Sequence, residues 1–245
     1  MRIKDTLQFL GWNVINPFIL NLKKNKYYQF NVPYKGINLG CGVDNPPGWL
    51  GIDGGVYLLF RSIPKAITKI FWKLFNMSSS YTFESYFGKI YSIDVIHHDL
   101  LRGIPLHDNI VPAIYSAHFF EHLYKQDSLR LISECYRVLK PGGIIRICVP
   151  SLDFEVDRIK EAVLAYENGD TEKIQTFVTL EWTGFTNKFS AHKYMYNYSE
   201  LKKVLSTAGF INIAEHSAGN GNIRDVGKLD IRGGLFVEAN KPVEI

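Results

Sequence analysis

No stretch of this chain approaches the roughly 20 consecutive apolar residues a transmembrane helix requires, so a helical membrane-spanning protein is not expected. Cysteine is scarce. Cys41, Cys135 and Cys148 are the only three, odd in number and never paired as C-x-x-C. That excludes a disulfide framework and a zinc ribbon, and points to a reducing cytoplasm. Cys135 and Cys148 lie in apolar patterns and are expected to pack as small hydrophobes. Charge of one sign is also missing: a formal net charge of +4 is too mild to imply nucleic acid by itself. There is no internal repeat and no low-complexity tract. The N-terminal "MRIKDTLQFLGWNVINPFIL" is interrupted by Asp5, Gln8, Asn13 and Asn16 and is followed by no small-residue cleavage site, so a signal peptide is not expected.

What is present fits a globular α/β chain. At 245 residues, 46% hydrophobic and 21% charged, it is long enough for one α/β domain with an insertion. Residues 1–35 are mixed and basic and read as an N-terminal extension. Residues 36–245 read as the domain, with an insertion over 56–90. "KGINLGCG" (35–42) has the form of a buried strand entering a tight loop, and "WLGID" (49–53) a second strand ending in an acid. "YSIDVIHHDL" (91–100), "VPAIYSAHF" (111–119) and "IIRICVP" (144–150) supply three more. Helices are predicted over 127–143, closed by Pro141-Gly142-Gly143, over 151–169, capped by Ser151 and Asp153, and from Tyr198, capped by Ser199 and stopped by Gly209. "INIAEHS" and "GLFVEANK" finish as an antiparallel pair.

This alternation predicts a Rossmann-like doubly wound sheet of about seven strands, mostly parallel with an antiparallel C-terminal strand. One spacing departs from the pattern. Only six residues separate Gly42 from Trp49, too few for a crossover helix, so either the first crossover is a bare loop or the second strand is misplaced.

In such a sheet the ligand sits beyond the carboxyl ends of the strands, beside the first loop, here Gly40-Cys41-Gly42. The loop lacks the third glycine of a dinucleotide fingerprint, and Asp53 follows Gly40 sooner than the ~20 residues expected for a nicotinamide dinucleotide. A ligand with a ribose but no pyrophosphate suits it better. The pieces "INLGCG" with Asp53, "HHDL", "IYSAHFFEHL" and "ECYRVLKPGGIIRICVPSLD", in this order, resemble the class I S-adenosylmethionine-dependent methyltransferases. The resemblance, closest to small bacterial methyltransferase-domain proteins of methyltransferase type 11, covers about 36–54 and 92–240.

The resemblance implies S-adenosyl-L-methionine as cofactor. It places the backbone of Asn38, Leu39, Gly40, Cys41 and Gly42 against the methionine part, where glycine permits close approach. Asp53 is expected to accept from the ribose hydroxyls, Asp99 from the adenine amino group, with Leu100 at the ring edge and His98 filling space beside them. Ser116 and Ala117 border the reacting end. His118 is the first candidate for general base and His192 the second, the latter in an acceptor-side segment, 170–198, rich in aromatic residues.

His118-x-x-Glu121-His122 also matches the H-x-x-E-H pattern of inverted zinc peptidases. "AIYSAH" reads as strand, however, which puts His118 at a strand tip and not on a helix with His122. No metal is therefore expected. The basic amphipathic segment 58–76 sets Ile63, Ile67, Ile70, Phe71 and Leu74 opposite Arg61, Lys65, Lys69 and Lys73. It reads either as a packing or lid helix or as a peripheral membrane contact, without a spanning segment. The expected acceptor is a small molecule or saccharide, methylated on oxygen. A non-catalytic scaffold of the same fold and a nucleic-acid methyltransferase are the alternatives. The first is opposed by the intact Gly40, Gly42, Asp53 and Asp99, and the second by the absence of a concentrated basic groove, so no nucleic acid is expected. The sequence leaves the oligomeric state open.

Overall fold

The structure, a computed structural model, describes residues 11–30, 33–75, 82–170 and 192–243. Seven strands form one sheet: β1 Gly36–Leu39, β2 Trp49–Asp53, β3 Val95–His97, β4 Val111–Ala117, β5 Leu139–Val149, β6 Ile211–His216 and β7 Leu235–Asn240. Their order across the sheet is β3-β2-β1-β4-β5-β7-β6. β1 through β5 pair parallel, and β7 runs antiparallel to both β5 and β6. This is a Rossmann-like doubly wound arrangement, and its strand order reverses at β1, where β1 has β2 on one side and β4 on the other. A ligand crevice opens at such a switch point.

One face of the sheet carries the main core. Ile37, Leu39, Ile52, Ile114, Ile145 and Ile147 are fully buried there, together with Leu131, Ile132 and Cys135 of the helix α4, Lys125–Val138. Leu201 and Leu205 of the helix α6, Tyr198–Thr207, extend the same core. The opposite face is covered in an unusual way. The first crossover, residues 40–48, is a bare loop with no helix, as the short spacing required. A right-handed β1-to-β2 crossover would have laid its helix on the face opposite α4. There, Trp49, Ala113 and Tyr115 pack instead against Ile223 and Leu229, from the long connection between β6 and β7.

That connection is tied down by a buried charge cluster. Arg146 of β5 is fully buried and donates to both oxygens of Asp230, at 3.1 and 2.6 Å, and to Glu238 of β7 at 2.8 Å. The two carboxylates share one guanidinium, and backbone N–H groups complete them, Gly219 on Asp230 and Asn222 on Glu238, each at 2.8 Å, so every buried ion here has hydrogen-bond partners.

The boundaries differ from the predicted ones in four places. α4 ends at Val138, and β5 begins at Leu139, taking Pro141-Gly142-Gly143 into the strand. The pairing with β4 skips across this segment, from Val111↔Leu139 to Ala113↔Ile144, so the Pro-Gly-Gly forms an irregularity in the strand and not a helix stop. β3 is short because Tyr91 and Ser92 close a helix, α3 Phe83–Ser92, capped by the Thr82 hydroxyl accepting from Ser85 N–H. The helix α6 is capped by Asn197, whose side chain accepts from Glu200 N–H at 2.9 Å, in place of Ser199. Ser151 caps the helix α5, Leu152–Glu167, as predicted.

In the insertion, the helix α2 is Lys65–Phe75. Its inward face differs from the predicted one: Ile67 and Ile70 are 46% and 60% exposed, while Thr68 is buried and Trp72 packs on Phe83, Tyr86 and Phe87 of α3. The side chains of Phe71, Lys73 and Leu74 lie outside the described residues. Among those described, no helix is long and apolar enough to cross a membrane.

Candidate functional site

The carboxyl ends of β1 and β4 open into a cleft of about 310 Å3. One wall is the β1 loop, with Asn38, Gly40, Cys41 and Gly42, and the β4 end contributes Ala117 and His118. The facing wall is Lys228, Leu229, Ile231 and Arg232, from the connection that Arg146 anchors. Sequence reading did not find this second wall, because the Arg146–Asp230 pairing joins residues 84 apart in the chain.

The loop geometry accounts for its glycines. Gly40 and Gly42 have φ of +64° and +56°, a region that L side chains rarely enter. At Gly40 a Cβ would also lie 2.4 Å from the Phe119 ring, so only glycine admits that packing. Asn38 braces the loop from below, donating to the Asn45 side chain at 3.2 Å and to the Asp44 carbonyl at 3.4 Å. Leu39 and Ser116 are buried, with the Ser116 hydroxyl donating to the Leu39 carbonyl at 3.1 Å, so the pair locks β4 onto β1. Cys41 is buried against Gly51, and burial pushes its thiol well up, keeping it unreactive.

A second group of predicted residues lies along the ends of β2 and β3. Asp53 is half-buried and accepts from Gly42 N–H at 2.9 Å and Gly55 N–H at 2.6 Å. Burial raises its carboxyl and these two donors partly offset that. Each oxygen retains acceptor capacity for a hydroxyl. The Tyr57 hydroxyl lies beside this carboxylate, buried and without a closed hydrogen bond. His98 is buried, with Nε2 donating to the Gly103 carbonyl at 3.1 Å and Nδ1 without a partner; burial lowers its pKa, so it is a neutral ring with one free acceptor. Asp99 caps a short turn by accepting from Leu101 N–H at 3.0 Å and also meets Arg102 at 3.2 Å. The Leu100 side chain packs in the main core and not at an open edge.

The N-terminal extension reaches this same edge. The helix α1, Asn16–Leu22, places Asn16 against His97, whose Nε2 is 3.0 Å from its side-chain oxygen, and against the Gly54 carbonyl at 2.8 Å. Residues that fit an adenosyl group are therefore present at the β2–β3 edge. They comprise a carboxylate with spare acceptor sites and two unpartnered buried polar atoms, Tyr57 Oη and His98 Nδ1, ready for a ligand.

His118 stands at the tip of β4, as expected, in a left-handed conformation with φ +50°. Its Nε2 donates to the Gly233 carbonyl at 2.9 Å and its Nδ1 faces Glu121 at 3.3 Å. The Glu121 side chain holds the imidazole pKa above its ordinary value. Phe120–His122 form a single 3-10 turn, so His118 and His122 do not share a helical face. His192 is exposed, and its ring lies against that of His122 with centroids 5.2 Å apart. Of the acceptor-side segment, residues 171–191 lie outside the described residues.

Residues 38–147 match the family model of a methyltransferase domain. Over 145 residues the chain is 29% identical to a protein of Mycolicibacterium smegmatis named a probable S-adenosylmethionine-dependent methyltransferase. The match takes in 59% of this chain and 45% of that protein, so the chain spans about half the length of the relative. Among solved structures it is similar to a SAM-dependent methyltransferase from Archaeoglobus fulgidus, at 16% identity and TM-score 0.42, covering 97% of this chain and 99% of that one. It is also similar to phosphoethanolamine N-methyltransferase 2 of Haemonchus contortus, at 15% identity and TM-score 0.43, covering 93% and 53%.

Proposed function

We propose that this chain, which carries a class I S-adenosylmethionine-dependent methyltransferase domain with S-adenosyl-L-methionine as its cofactor, methylates a hydroxyl of a small molecule or saccharide. The observation that carries the reading is the cleft itself, which joins the glycine loop of β1 to His118 at the tip of β4. The cofactor supplies an activated methyl group on a sulfonium. The chain's residues then have three tasks: to hold the adenosyl end, to align the acceptor, and to take its proton.

Asp53, with Tyr57 beside it, would hold the ribose, and the Gly40–Gly42 backbone the methionine part. His118 is the proposed base. Glu121 fixes the Nδ1–H side, and the base is the neutral ring: once the Nε2 proton has left to solvent and Nε2 has turned from the Gly233 carbonyl, its free lone pair would take the proton of an acceptor hydroxyl. His192 fits this task less well, being exposed and turned to His122.

The test is methyl transfer from labelled S-adenosylmethionine to a panel of saccharide and small hydroxylated acceptors. With the accepted substrate, His118→Asn should lower kcat by about 10²- to 10⁴-fold, the usual worth of a general base, with cofactor affinity unchanged. Turnover near wild type in that variant would remove His118 from the role.

For partners, the reading keeps nucleic acid out and keeps a peripheral membrane contact in, supported by the exposure of Ile67 and Ile70 beside Lys65 and Lys69 on α2. Co-sedimentation with anionic vesicles, lost in an Ile67→Ser, Ile70→Ser variant, would support it; no co-sedimentation of the wild type would reject it. Three free, buried cysteines support a cytoplasmic setting.

A further inference from the structure

We propose that Glu121, His122 and His192 form a binding site for one divalent transition-metal ion, and that zinc suits the donor set best. The starting observation is Glu121. Its side chain is 1% exposed, and neither carboxylate oxygen has a hydrogen-bond partner of good geometry. A buried carboxylate in that state is costly unless a positive charge reaches it. His118 Nδ1, 3.3 Å from Oε1, offers one proton to one oxygen, since its other nitrogen is committed to Gly233. The second oxygen is left without any donor.

Two imidazoles stand at the same carboxylate. His122 Nε2 is 3.8 Å from Glu121 Oε1, and the rings of His122 and His192 lie 5.2 Å apart at 63°. One donor atom from each of Glu121, His122 and His192 falls within 4.8 Å of the other two. Two ligands of a tetrahedral ion at about 2.1 Å from it stand about 3.4 Å apart, so side-chain rotations that close the present spacing by an ångström or more bring all three onto one ion.

The backbone fixes this meeting independently of the side chains. The N–H groups of Lys193 and Tyr194 both donate to the Glu121 carbonyl, at 2.7 and 3.2 Å, and this brings residue 192 beside the 120–122 turn. Two nitrogens and one carboxylate oxygen make a borderline donor set, suited to zinc and its neighbours, whereas magnesium and calcium favour all-oxygen shells. Exposure rises from buried Glu121 through His122 to exposed His192, which leaves the outer coordination positions to water. The sequence pattern H-x-x-E-H thus pairs the wrong histidines: the partner of Glu121–His122 is His192, 70 positions further along, and His118 is turned to Gly233. The inference does not require the methyl-acceptor reading, although the two share Glu121, whose carboxylate also faces His118.

The experiment uses the full chain, stripped with chelator, and titrated with Zn²⁺ by calorimetry and with Co²⁺ by visible absorption. The expected result is one saturable site of micromolar or tighter affinity, with ligand-field bands in the cobalt form. His192→Gln and His122→Gln should each weaken Zn²⁺ binding by at least tenfold and alter those bands. Because His192 is exposed, its variant tests the site even if Glu121→Gln fails to fold. No saturable site in the wild type, or wild-type affinity in His192→Gln, would overturn the proposal.

Discussion

Asp53 receives hydrogen bonds from Gly42 and Gly55 while retaining lone pairs on both oxygens, a combination that fits a vicinal diol. Replacing it by alanine should weaken S-adenosylmethionine binding by about 1.5–3 kcal/mol, the scale of charged hydrogen bonds lost. Calorimetry on the variant checks this, and unchanged affinity would misplace the ribose. Gly40→Ala is expected to be worse for the fold than for the ligand. Its Cβ would enter the Phe119 ring at a φ of +64°, so the urea midpoint should fall, by about 1–3 kcal/mol of stability. The tight turn at Gly40 and the place of Asp53 at the end of β2 could be read from the sequence because both depend on neighbours within a few positions of a strand end. The meeting of Glu121 with His192 could not, since backbone hydrogen bonds between distant segments create it.

Helix α1 depends on a neutral histidine. His97 donates from Nε2 to Asn16, and its Nδ1 faces the Lys23 ammonium at 3.3 Å. Burial, reinforced by Lys23, lowers its pKa to about 4. The folded state therefore resists a proton that the unfolded chain accepts near pH 6.5. The stabilisation is present above pH 6.5 and is lost as pH falls from there toward 4, by about 2 kcal/mol once solvent screening is allowed for. Hydrogen exchange across residues 16–22 should accelerate in that window and be flat in His97→Gln; protection that ignores pH would contradict the linkage. Elements with clean periodicity or β-branched runs, such as α4, β1 and β4, were legible. β5 was read too short because Pro141-Gly142-Gly143 has turn chemistry, whereas the pairing of Leu139 with Val111 and backbone hydrogen bonds between Gly142, Gly143 and Lys241 carry the strand across it. The inward face of α2 was misread because isoleucine at helical spacing does not reveal what it packs on, and α3 meets it through Trp72.

Across the whole molecule, the bare first crossover and the anchored β6–β7 connection are complementary. A crossover loop without a helix leaves one sheet face open, and Ile223 and Leu229 fill it. Arg146 secures them, so Arg146→Met should strand two buried carboxylates and cost about 3–5 kcal/mol in equilibrium unfolding. A loss below 1 kcal/mol would show that the connection is held by other means. The short crossover was legible by counting from Gly42 to Trp49; what replaced its helix was not, because the replacement comes from the far end of the chain. The central claim is that this sheet presents an adenosyl-binding edge at β1 to β3. Calorimetric titration of the purified chain with S-adenosylmethionine and S-adenosylhomocysteine, with NAD as control, tests it most directly. Micromolar binding of the two adenosyl compounds and none of NAD is the predicted result, and a folded protein that binds neither adenosyl compound would contradict it.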